Sequence, residues 1–534
     1  MAQTAREVGH WLADPRTSAV GSDVAAAFAA LAEAHRGGGV RQLARAAERH
    51  FWPLLRTRPA ELDDLLRALP SDVLERHPLL VHVHPMASSM AGSPAASAAD
   101  PAGDVDDAGR LRALVSRMVA LRRSGDVATA AGVADRLVEL LTDLRVPSLS
   151  DATGPLPFYF AQVAVTRLLA GDVLAAIRAA TTARQMADAD ASSPVRRFAF
   201  ALLALAHALR GGLAEARAAL DAAAGSPPGS RWFASWCAAL ESVARAIVAV
   251  DALDPAAGAV VAAAYDERLP SEIVAVAALA GSRHAVVRGV PAEALDVLDR
   301  LVPPRMASSG LAADIRSAGA IEAHVAMGDL AAARSVVVAG SPGPMTSLAL
   351  LRLRIHTGDG VGALAAASRL SRSTALSPAQ REELQLARAY ISVQLTGGVD
   401  AAEANGIARL AAATTRRRQL SSNLSPCVIE AVAVHLDSDR RAALLRCLDP
   451  VPDVSDIPAA PRLSPGEVRV LAVLVHRAST TEIADALFVS PNTVKTQLRS
   501  LYRKLGVHSR TQAIGAAVRW GLVDPAEISE RVSA

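Results

Sequence analysis

TTEIADALFVSPNTVKTQLRSLYRKLG, residues 480–506, is the stretch that decides the fold of the last part of this chain. Its pattern predicts a short helix over 480–487 and a longer one over 491–505. Only the three residues 488–490 separate them, which is the turn length of a helix-turn-helix unit. The stretch therefore predicts two helices held at a sharp angle, the second of them long enough to present a face to a partner.

The helix predicted over 491–505 has two unlike faces. Val494 begins an apolar stripe that returns at the helical period through Leu498, Leu501 and Leu505. The opposite face is polar and cationic. Lys and Arg side chains can reach guanine or phosphate in the major groove, and Thr or Asn can read other base edges. The residues predicted to bind DNA are Asn492, Thr493, Lys495, Thr496, Arg499 and Arg503.

Helix-start signals and positive charge both concentrate around this helix. Residues 463–524 carry eight basic and four acidic side chains, a net of +4, whereas the whole chain of 534 residues carries +3. Two further helices are predicted, over 465–476 and 510–521. The predicted starts are capping boxes at Ser464/Glu467, Ser479/Glu482 and Ser509/Gln512, and the pair Ser490-Pro491. A cationic face alone is more often merely solvated, but its coincidence with the short turn and the caps favours DNA binding.

The same residues resemble the LuxR-type helix-turn-helix domain over about 60 positions. The matching positions are Leu463, Glu467, Leu471, Glu482-Ile483-Ala484, Leu487, Ser490, Thr493-Val494-Lys495, Lys504-Leu505-Gly506 and Ser509-Arg510. The resemblance implies that Lys495, Thr496 and Arg499 face the DNA and that the last helix forms the dimer contact, as it often does in the family. The last helix is predicted to place Ala513, Ile514, Ala517 and Val518 in the core and to leave Ala516 and Trp520 on other faces, where an aromatic requires cover. This sequence departs from the family where Gly466 replaces Arg, Arg477 replaces Gly, and Thr480 replaces the common Asn.

Upstream, apolar helical stretches alternate with breaks that contain Gly or Asp. From Gly211 to Val250, to Gly289 and to Gly328 the step is 39 residues each time. A regular period of this length predicts helical hairpins stacked into a solenoid, in which each repeat buries its face against the next. The breaks are at Gly125-Asp126, Gly171-Asp172, Gly211-Gly212, Val250-Asp251, Gly289-Val290, Gly328-Asp329, Gly358-Asp359 and Gly397-Gly398.

The predicted fold is all-α, a tetratricopeptide-like helical-repeat solenoid followed by a four-helix DNA-binding domain. Near the start, the sequence predicts a helix, a break at Pro70 and a second helix capped by Ser71. The predicted domains are an N-terminal helical region (1–86), a flexible loop (87–107), helical-hairpin repeats (108–447), a Pro-rich linker (448–462), the helix-turn-helix domain (463–524) and a tail (525–534).

The stretch LLRALPSDVLERHPLL (residues 65–80), followed by the predicted repeats and the C-terminal domain, is similar to the part of the large MalT-like regulators that follows their ATPase. Lys495 and Lys504 are the only lysines in the chain, so residues 1–494 hold none. A phosphate-binding loop requires a lysine after its glycines, so we expect no ATPase domain and no nucleotide switch. The resemblance implies a helical sensor or scaffold joined to a DNA-binding domain.

Several function classes are disfavoured by the sequence. The three cysteines, Cys237, Cys427 and Cys447, are odd in number and far apart, which argues against disulfides and zinc spacing. The N-terminus lacks a signal-peptide pattern, and the longest apolar stretch, 198–209, is too short to span a bilayer. No catalytic constellation, metal site or cofactor site is predicted. We expect a bacterial, cytoplasmic protein that is not an enzyme and does not contact a membrane.

Weaker signals have plain structural alternatives. His82 and His84 point to different sides of a helix, which disfavours shared metal binding, and the acidic run 104–107 is better explained by capping or a solvated loop than by calcium. The arginine run 416–418 is predicted to be solvated more readily than bound to phosphate. The aromatic stretch 232–236 is predicted to be core, with a ligand platform as the alternative.

The function predicted from these observations is a transcriptional regulator whose helical repeats receive a protein or small-molecule signal. Its partners would be double-stranded DNA, a second copy of the chain on DNA, and an effector on the repeats. The alternative is a protein-interaction scaffold in which the solenoid does the work and the DNA domain only localises it.

Overall fold

The structure is a computed structural model that describes residues 22–523, except 38, 75, 92–106, 144–154, 189–192, 228–230, 267–268, 339, 449–460, 462, 477–478 and 521. Over these residues the chain is helical and contains no strand. The all-α prediction is confirmed. The alanine-rich, aromatic-poor composition favours this outcome because alanine has the best helix propensity and sheets require larger side chains to pack.

The chain forms two compact units. The first runs to Val248 and also takes in Ala259–Ala277 and Ser309–Ala312; the second holds the rest. The helices up to the first boundary are Ser22–Arg36, Val40–Arg49, Phe51–Thr57, Pro59–Ala68, Ser71–Leu74, Pro78–Ala91, Asp107–Arg123, Val127–Asp143, Leu156–Leu169, Val173–Ala187, Pro194–Arg210 and Leu213–Ala224.

Four helices pass through the boundaries between the units, and the remainder belong to the second unit. The four are Arg231–Ala252, Ala257–Asp266, Val274–Val287 and Gly310–Ala326. The others are Pro291–Leu301, Leu330–Ser335, Pro344–His356, Gly360–Leu370, Pro378–Thr396, Ala401–Ala413, Arg417–Asn423, Pro426–Ala433, Ser438–Leu448, Pro465–Leu474, Thr480–Leu487, Pro491–Leu505 and Arg510–Arg519, with a 3-10 turn at Pro304–Met306.

The Gly-Asp pairs end one helix and begin the next. At Gly171, φ is +89°, a left-handed conformation that glycine adopts without a Cβ clash. The following Asp172 caps the next helix by accepting a hydrogen bond from the N–H of Ala175 at 2.9 Å. Asp329 and Asp359 cap their helices in the same way. Consecutive helices pack together within 107–224 and within 330–413, as helical hairpins require, while the solenoid they would build stays a prediction.

One predicted break is wrong. The helix Arg231–Ala252 runs through Val250 and Asp251, and the chain turns instead at Leu253, whose φ is +54°. The turn closes because the N–H of Leu253 donates to the carbonyl of Val250 and that of Asp254 to the carbonyl of Ala249. A left-handed leucine gives no composition signal of the kind that glycine gives, which is why the sequence placed the break too early.

Two predicted boundaries also need correction. The helix Pro78–Ala91 extends into the segment predicted as a loop from residue 87, because Ala87 and Met90 are buried and continue its apolar face. The remainder of that loop up to 106 lies outside the described residues. Leu448, predicted to open the linker, ends the helix Ser438–Leu448, and most of the linker is likewise undescribed.

The cap predicted at Ser71 is also wrong. Ser71 is the first residue of the four-residue helix Ser71–Leu74 instead of its N-cap. The carbonyl of Pro70 accepts the first hydrogen bonds of this helix, from the N–H groups of Val73 and Leu74. Pro70 itself therefore holds the flanking position that the sequence assigned to Ser71.

The aromatic stretch 232–236 is core. Phe233 and Trp236 are buried, and they pack edge to face with Phe158 and Phe198 in the first unit. By length and composition, Trp232–Ala252 could cross a membrane, but 72% of its apolar window is buried among other helices of the protein. Its apolar character is thus accounted for by packing.

Candidate nucleic-acid interface

The four helices from Pro465 to Arg519 enclose a small core of their own. The residues that form it come from all four helices and the segment after them: Val470, Leu471, Leu474, Ile483, Ala484, Val494, Leu501, Leu505, Ala513, Ala516, Ala517 and Val523. Val494 and Leu501 are fully buried, as the predicted apolar stripe requires. The stripe is confirmed and fixes the rotation of the helix Pro491–Leu505, which we call the basic helix.

Serine caps begin each of these helices. Ser464 and Ser479 form complete capping boxes with Glu467 and Glu482, as predicted. At Ser509 only half of the predicted box is present. The side chain of Ser509 accepts from the N–H of Gln512, while Gln512 Oε1 accepts from the N–H of His508 at 3.0 Å.

The predicted ends of the outer two helices are slightly too late. The first helix ends at Leu474 instead of 476, and the last ends at Arg519 instead of 521. The inner two helices, Thr480–Leu487 and Pro491–Leu505, have the predicted bounds.

The turn before the basic helix is tight and carries an exposed aromatic. Phe488 adopts φ +55° and ψ +44°, a left-handed conformation, and its side chain is 97% exposed. The N–H of Val489 donates to the carbonyl of Ala484 at 3.0 Å and closes the preceding helix. Ser490 then caps the basic helix by accepting from the N–H of Thr493 at 3.1 Å. These contacts set the angle at which the basic helix leaves the turn.

The polar residues predicted to bind DNA lie together on the exposed face of the basic helix. Lys495, Arg499 and Arg503 are exposed and form no hydrogen bond or ion pair with any part of the chain that the structure describes. A groove of about 1000 Å³ runs along them. Thr496 is also exposed, although its hydroxyl donates to the carbonyl of Asn492 at 3.0 Å. Asn492 and Thr493 are exposed in the first turn.

Lys504 has a different role, which the sequence did not reveal. Its Nζ donates to Glu467 Oε2 at 2.6 Å, and the same oxygen accepts from the N–H of Ser464 at 2.6 Å. Burial alone would raise the pKa of Glu467, but the hydrogen bonds from Lys504 and Ser464 lower it to about 2. Lys504 thus ties the basic helix to the start of the first helix.

Gly466, one of the departures from the LuxR-type pattern, makes room for a side chain of the basic helix. A Cβ at this position would lie 2.6 Å from Gln497 Nε2. The close approach allows the first helix and the basic helix to pack tightly at that point.

The last helix packs against upstream helices of the second unit. Arg510–Arg519 contacts the helix Leu330–Ser335, and Trp520 packs against the buried cluster of Ala318, Ile321, Val325, Leu330, Ala333, Ala349 and Leu353. The sequence predicted Ile514 and Val518 in the core and Ala516 outside it. Instead Ala516 is buried, while Ile514 and Val518 are only half-buried.

The histidine pair and the acidic run considered as weak metal signals can be placed only in part. No group of three or more metal-ligating side chains occurs in the described part of the chain. His84 Nε2 lies 3.3 Å from Asp63 Oδ1 instead, and the side chain of His82 is outside the description. Residues 104–106 of the acidic run are also undescribed, and Asp107 begins a helix.

Comparison with known proteins identifies the C-terminal domain. Residues 461–517 match the family described as "Bacterial regulatory proteins, luxR family". The chain is 45% identical over 67 residues to the probable transcriptional regulatory protein NarL of Mycobacterium tuberculosis, covering 12% of this chain and 31% of NarL. It is 36% identical over 85 residues to the transcriptional activator RamA of Corynebacterium glutamicum, covering 16% of this chain and 30% of RamA.

A third relative matches the same region. The CsgBAC operon transcriptional regulatory protein of Escherichia coli is 49% identical over 51 residues, which are 10% of this chain and 24% of that protein. The chain therefore spans about a third or less of each of these relatives. No solved structure matches it. The predicted LuxR-type helix-turn-helix domain is confirmed for residues 461–517.

Proposed function

We propose that this protein is a sequence-specific, DNA-binding regulator of transcription that inserts the basic helix into the major groove. The observation that carries the proposal is the exposed face of that helix, where Lys495, Arg499 and Arg503 have no partner among the described residues. Leaving three cations without partners gains no stability for the fold. On DNA they would replace the counterions of the phosphates and reach base edges.

Each polar side chain of this face has a role that its chemistry suits. Lys495 and Arg499, one turn apart, can donate to guanine O6 and N7. Asn492 and Thr496 can read other base edges. Thr493 and Arg503, toward the two ends of the helix, suit phosphate contacts that fix its register. The arrangement accounts for all six predicted residues with one docking geometry.

We further propose that the helical repeats control this domain. The contact of Trp520 with the cluster around Ile321 and Val325 supports this, because it joins the last helix directly to repeat helices. In the LuxR-type resemblance the last helix forms the dimer contact, and a two-fold dimer would read two half-sites about one helical turn apart. A repeat region that holds the last helix would therefore control assembly of the dimer on DNA in the cytoplasm.

Selection of bound duplexes from a random pool by the full-length protein tests the proposal. We expect a two-fold symmetric motif, and footprints at matching positions on the protein's own genome. Enrichment of no motif, with binding that depends only on salt, would contradict it. A tight protein partner found in the same preparation would then favour the alternative, a scaffold whose repeats do the work.

A further inference from the structure

A small cavity lies among the repeat helices of the second unit. Its volume is about 40 Å³ and its walls come from the helices Val274–Val287, Gly310–Ala326, Pro344–His356 and Arg417–Asn423. A water needs about 10 to 15 Å³ by this measure, so the cavity can hold about three waters or one small polyatomic ion. Its size fits a single chemical group better than an entire metabolite.

Three arginines line the cavity, and they differ in the number of carboxylates to which they donate hydrogen bonds. Arg352 donates to Glu322 at 3.2 Å and also to Glu383. Arg283 and Arg418, by contrast, share the single carboxylate of Asp251. Glu322 and Glu383 also act on Arg283 and Arg418 through their charge, so the three arginines face three carboxylates. Asp251 is nevertheless the only carboxylate within hydrogen-bond distance of Arg283 and Arg418 among the described residues.

The arginine run 416–418 was predicted to be solvated, and this prediction is wrong at two of its positions. Arg418 is only 8% exposed and its Nε donates to Asp251 Oδ1 at 2.6 Å. Arg416 is paired with Glu382. Burying a guanidinium is costly unless its N–H groups find acceptors, so the surroundings of Arg418 require an explanation beyond solvation.

Hydrogen-bond donors outnumber acceptors around Arg283 and Arg418. Arg283 reaches Asp251 only at 3.4 Å, and its buried Nε has no acceptor. The two terminal nitrogens of Arg418 form no hydrogen bond within the described part of the chain. His356, which also lines the wall, has a buried Nδ1 without a partner. The missing component is a group with several acceptor oxygens.

The pKa shifts distinguish the two arginines. Burial and the charge of Arg418 lower the pKa of Arg283, whereas Asp251, Glu322 and Glu383 outweigh burial and raise the pKa of Arg418. The charge of Arg283 is therefore the less stabilised of the two. Burial and Arg352 lower the pKa of His356 to about 4. His356 is therefore neutral near pH 7 and can offer one N–H without adding charge.

We propose that this cavity binds the oxyanion of a small molecule, a phosphate or carboxylate group held by Arg283, Arg418 and His356. Guanidinium groups suit such a ligand because their planar N–H donors match its oxygens in pairs. Any remainder of the molecule would extend through the open side of the cavity.

The cavity lies next to the buried cluster that Trp520 of the C-terminal domain contacts. Val325 and Ala349 line the cavity, and both belong to the cluster against which Trp520 packs. A bound ion that shifts the helices carrying Val325 and Ala349 would therefore also change the packing of Trp520. This regulatory consequence rests on the proposed function, whereas the binding itself does not.

Calorimetry on the full chain at constant ionic strength tests the binding, with inorganic phosphate and acetate titrated separately. We expect at least one to bind with Kd of about 1 mM or tighter. Phosphate alone would identify a tetrahedral ligand group and acetate alone a carboxylate. Absence of saturable binding by both would overturn the proposal.

The variant Arg283→Lys keeps the charge beside Asp251 but loses the paired donors, so we expect binding to weaken by about tenfold. Arg288→Lys, exposed just after the same helix, is the matched control and should bind as the unmodified protein does. Equal affinity of Arg283→Lys and the control, with both folded by circular dichroism, would overturn the site.

Hydrogen exchange tests the connection to Trp520 without involving DNA. We expect the bound anion to change exchange in the helix Leu330–Ser335, and no change in that helix despite binding would overturn the regulatory part. A failure of motif selection on DNA would contradict the proposed function while leaving the calorimetric result intact.

Discussion

Glu467 stabilises two helices through one carboxylate. Its carboxylate completes the capping box of Ser464 and accepts from Lys504 at the far end of the basic helix. The capping box could be predicted because it depends on a local spacing of three residues. The contact with Lys504 spans 37 positions and could not be, because it depends on how the helices pack.

We predict that Glu467→Gln destabilises the first helix of the domain by about 1 to 2 kcal/mol, since an amide keeps the cap but loses the ion pair. Hydrogen exchange of the peptides over Pro465–Leu474 measures the loss. Glu482→Gln is the matched control, because Glu482 completes the equivalent box on an exposed helix. An equal effect of the two substitutions would contradict a special role for Lys504.

The same pair predicts a pH dependence. The pKa of Glu467 is lowered from 4.5 to about 2 in the folded protein, so its stabilising contribution is complete above 4.5 and is lost as the pH falls toward 2. Hydrogen exchange over Pro465–Leu474, corrected for the pH dependence of the intrinsic exchange rate, should show this loss of stability in the unmodified protein. In Glu467→Gln the loss should be small. Equal acid sensitivity of both proteins would count against the assignment.

Helix starts and ends were the most predictable features at the element scale. The Ser caps and the Gly-Asp pairs are local signals, and the structure bears them out at Ser479, Gly171 and Asp172. The missed break at Leu253 and the helix that continues past Ala87 depend on tertiary packing, which overrides local propensity. The turn at Leu253 in particular has no glycine to mark it.

Phe488 carries backbone strain in the turn before the basic helix. A left-handed residue that is not glycine costs about 1 kcal/mol, and a side chain 97% exposed recovers little of it by packing. We predict that Phe488→Gly slows hydrogen exchange in Thr480–Leu487 by about two- to fivefold. Val489→Gly, with an ordinary φ, should accelerate it. Faster exchange in both variants would mean that the Phe488 side chain supports the turn.

Trp520 joins the last helix of the chain to helices far upstream in the sequence. The sequence predicted an aromatic that required cover, and a second copy of the chain was the expected cover. In the structure Trp520 packs both against the core of its own domain and against the cluster around Val325 and Ala349. Which surface covers an exposed aromatic could not be predicted, since the contact joins residues nearly 200 positions apart in the sequence.

We predict that Trp520→Ala releases the last helix from the repeats and weakens that contact by about 1 to 3 kcal/mol. Exchange in Leu330–Ser335 should accelerate more than exchange in the basic helix, whose core Trp520 contacts only as a partly buried side chain. Val361→Ala, at a side chain 76% exposed, is the control and should change neither. Unchanged exchange in Leu330–Ser335 would show that Trp520 does not hold the two parts together.

The central claim is that the exposed face of the basic helix reads a DNA sequence. Binding of the full chain to its selected operator and to a scrambled duplex, compared for Lys495→Ala, Arg499→Ala and the exposed control Arg469→Ala, tests it most directly. We predict that the first two each lose about 1 to 3 kcal/mol on the operator and much of the preference over the scrambled duplex. Arg469→Ala should retain both. Full operator preference in Lys495→Ala and Arg499→Ala, with all proteins folded by circular dichroism, would contradict the claim.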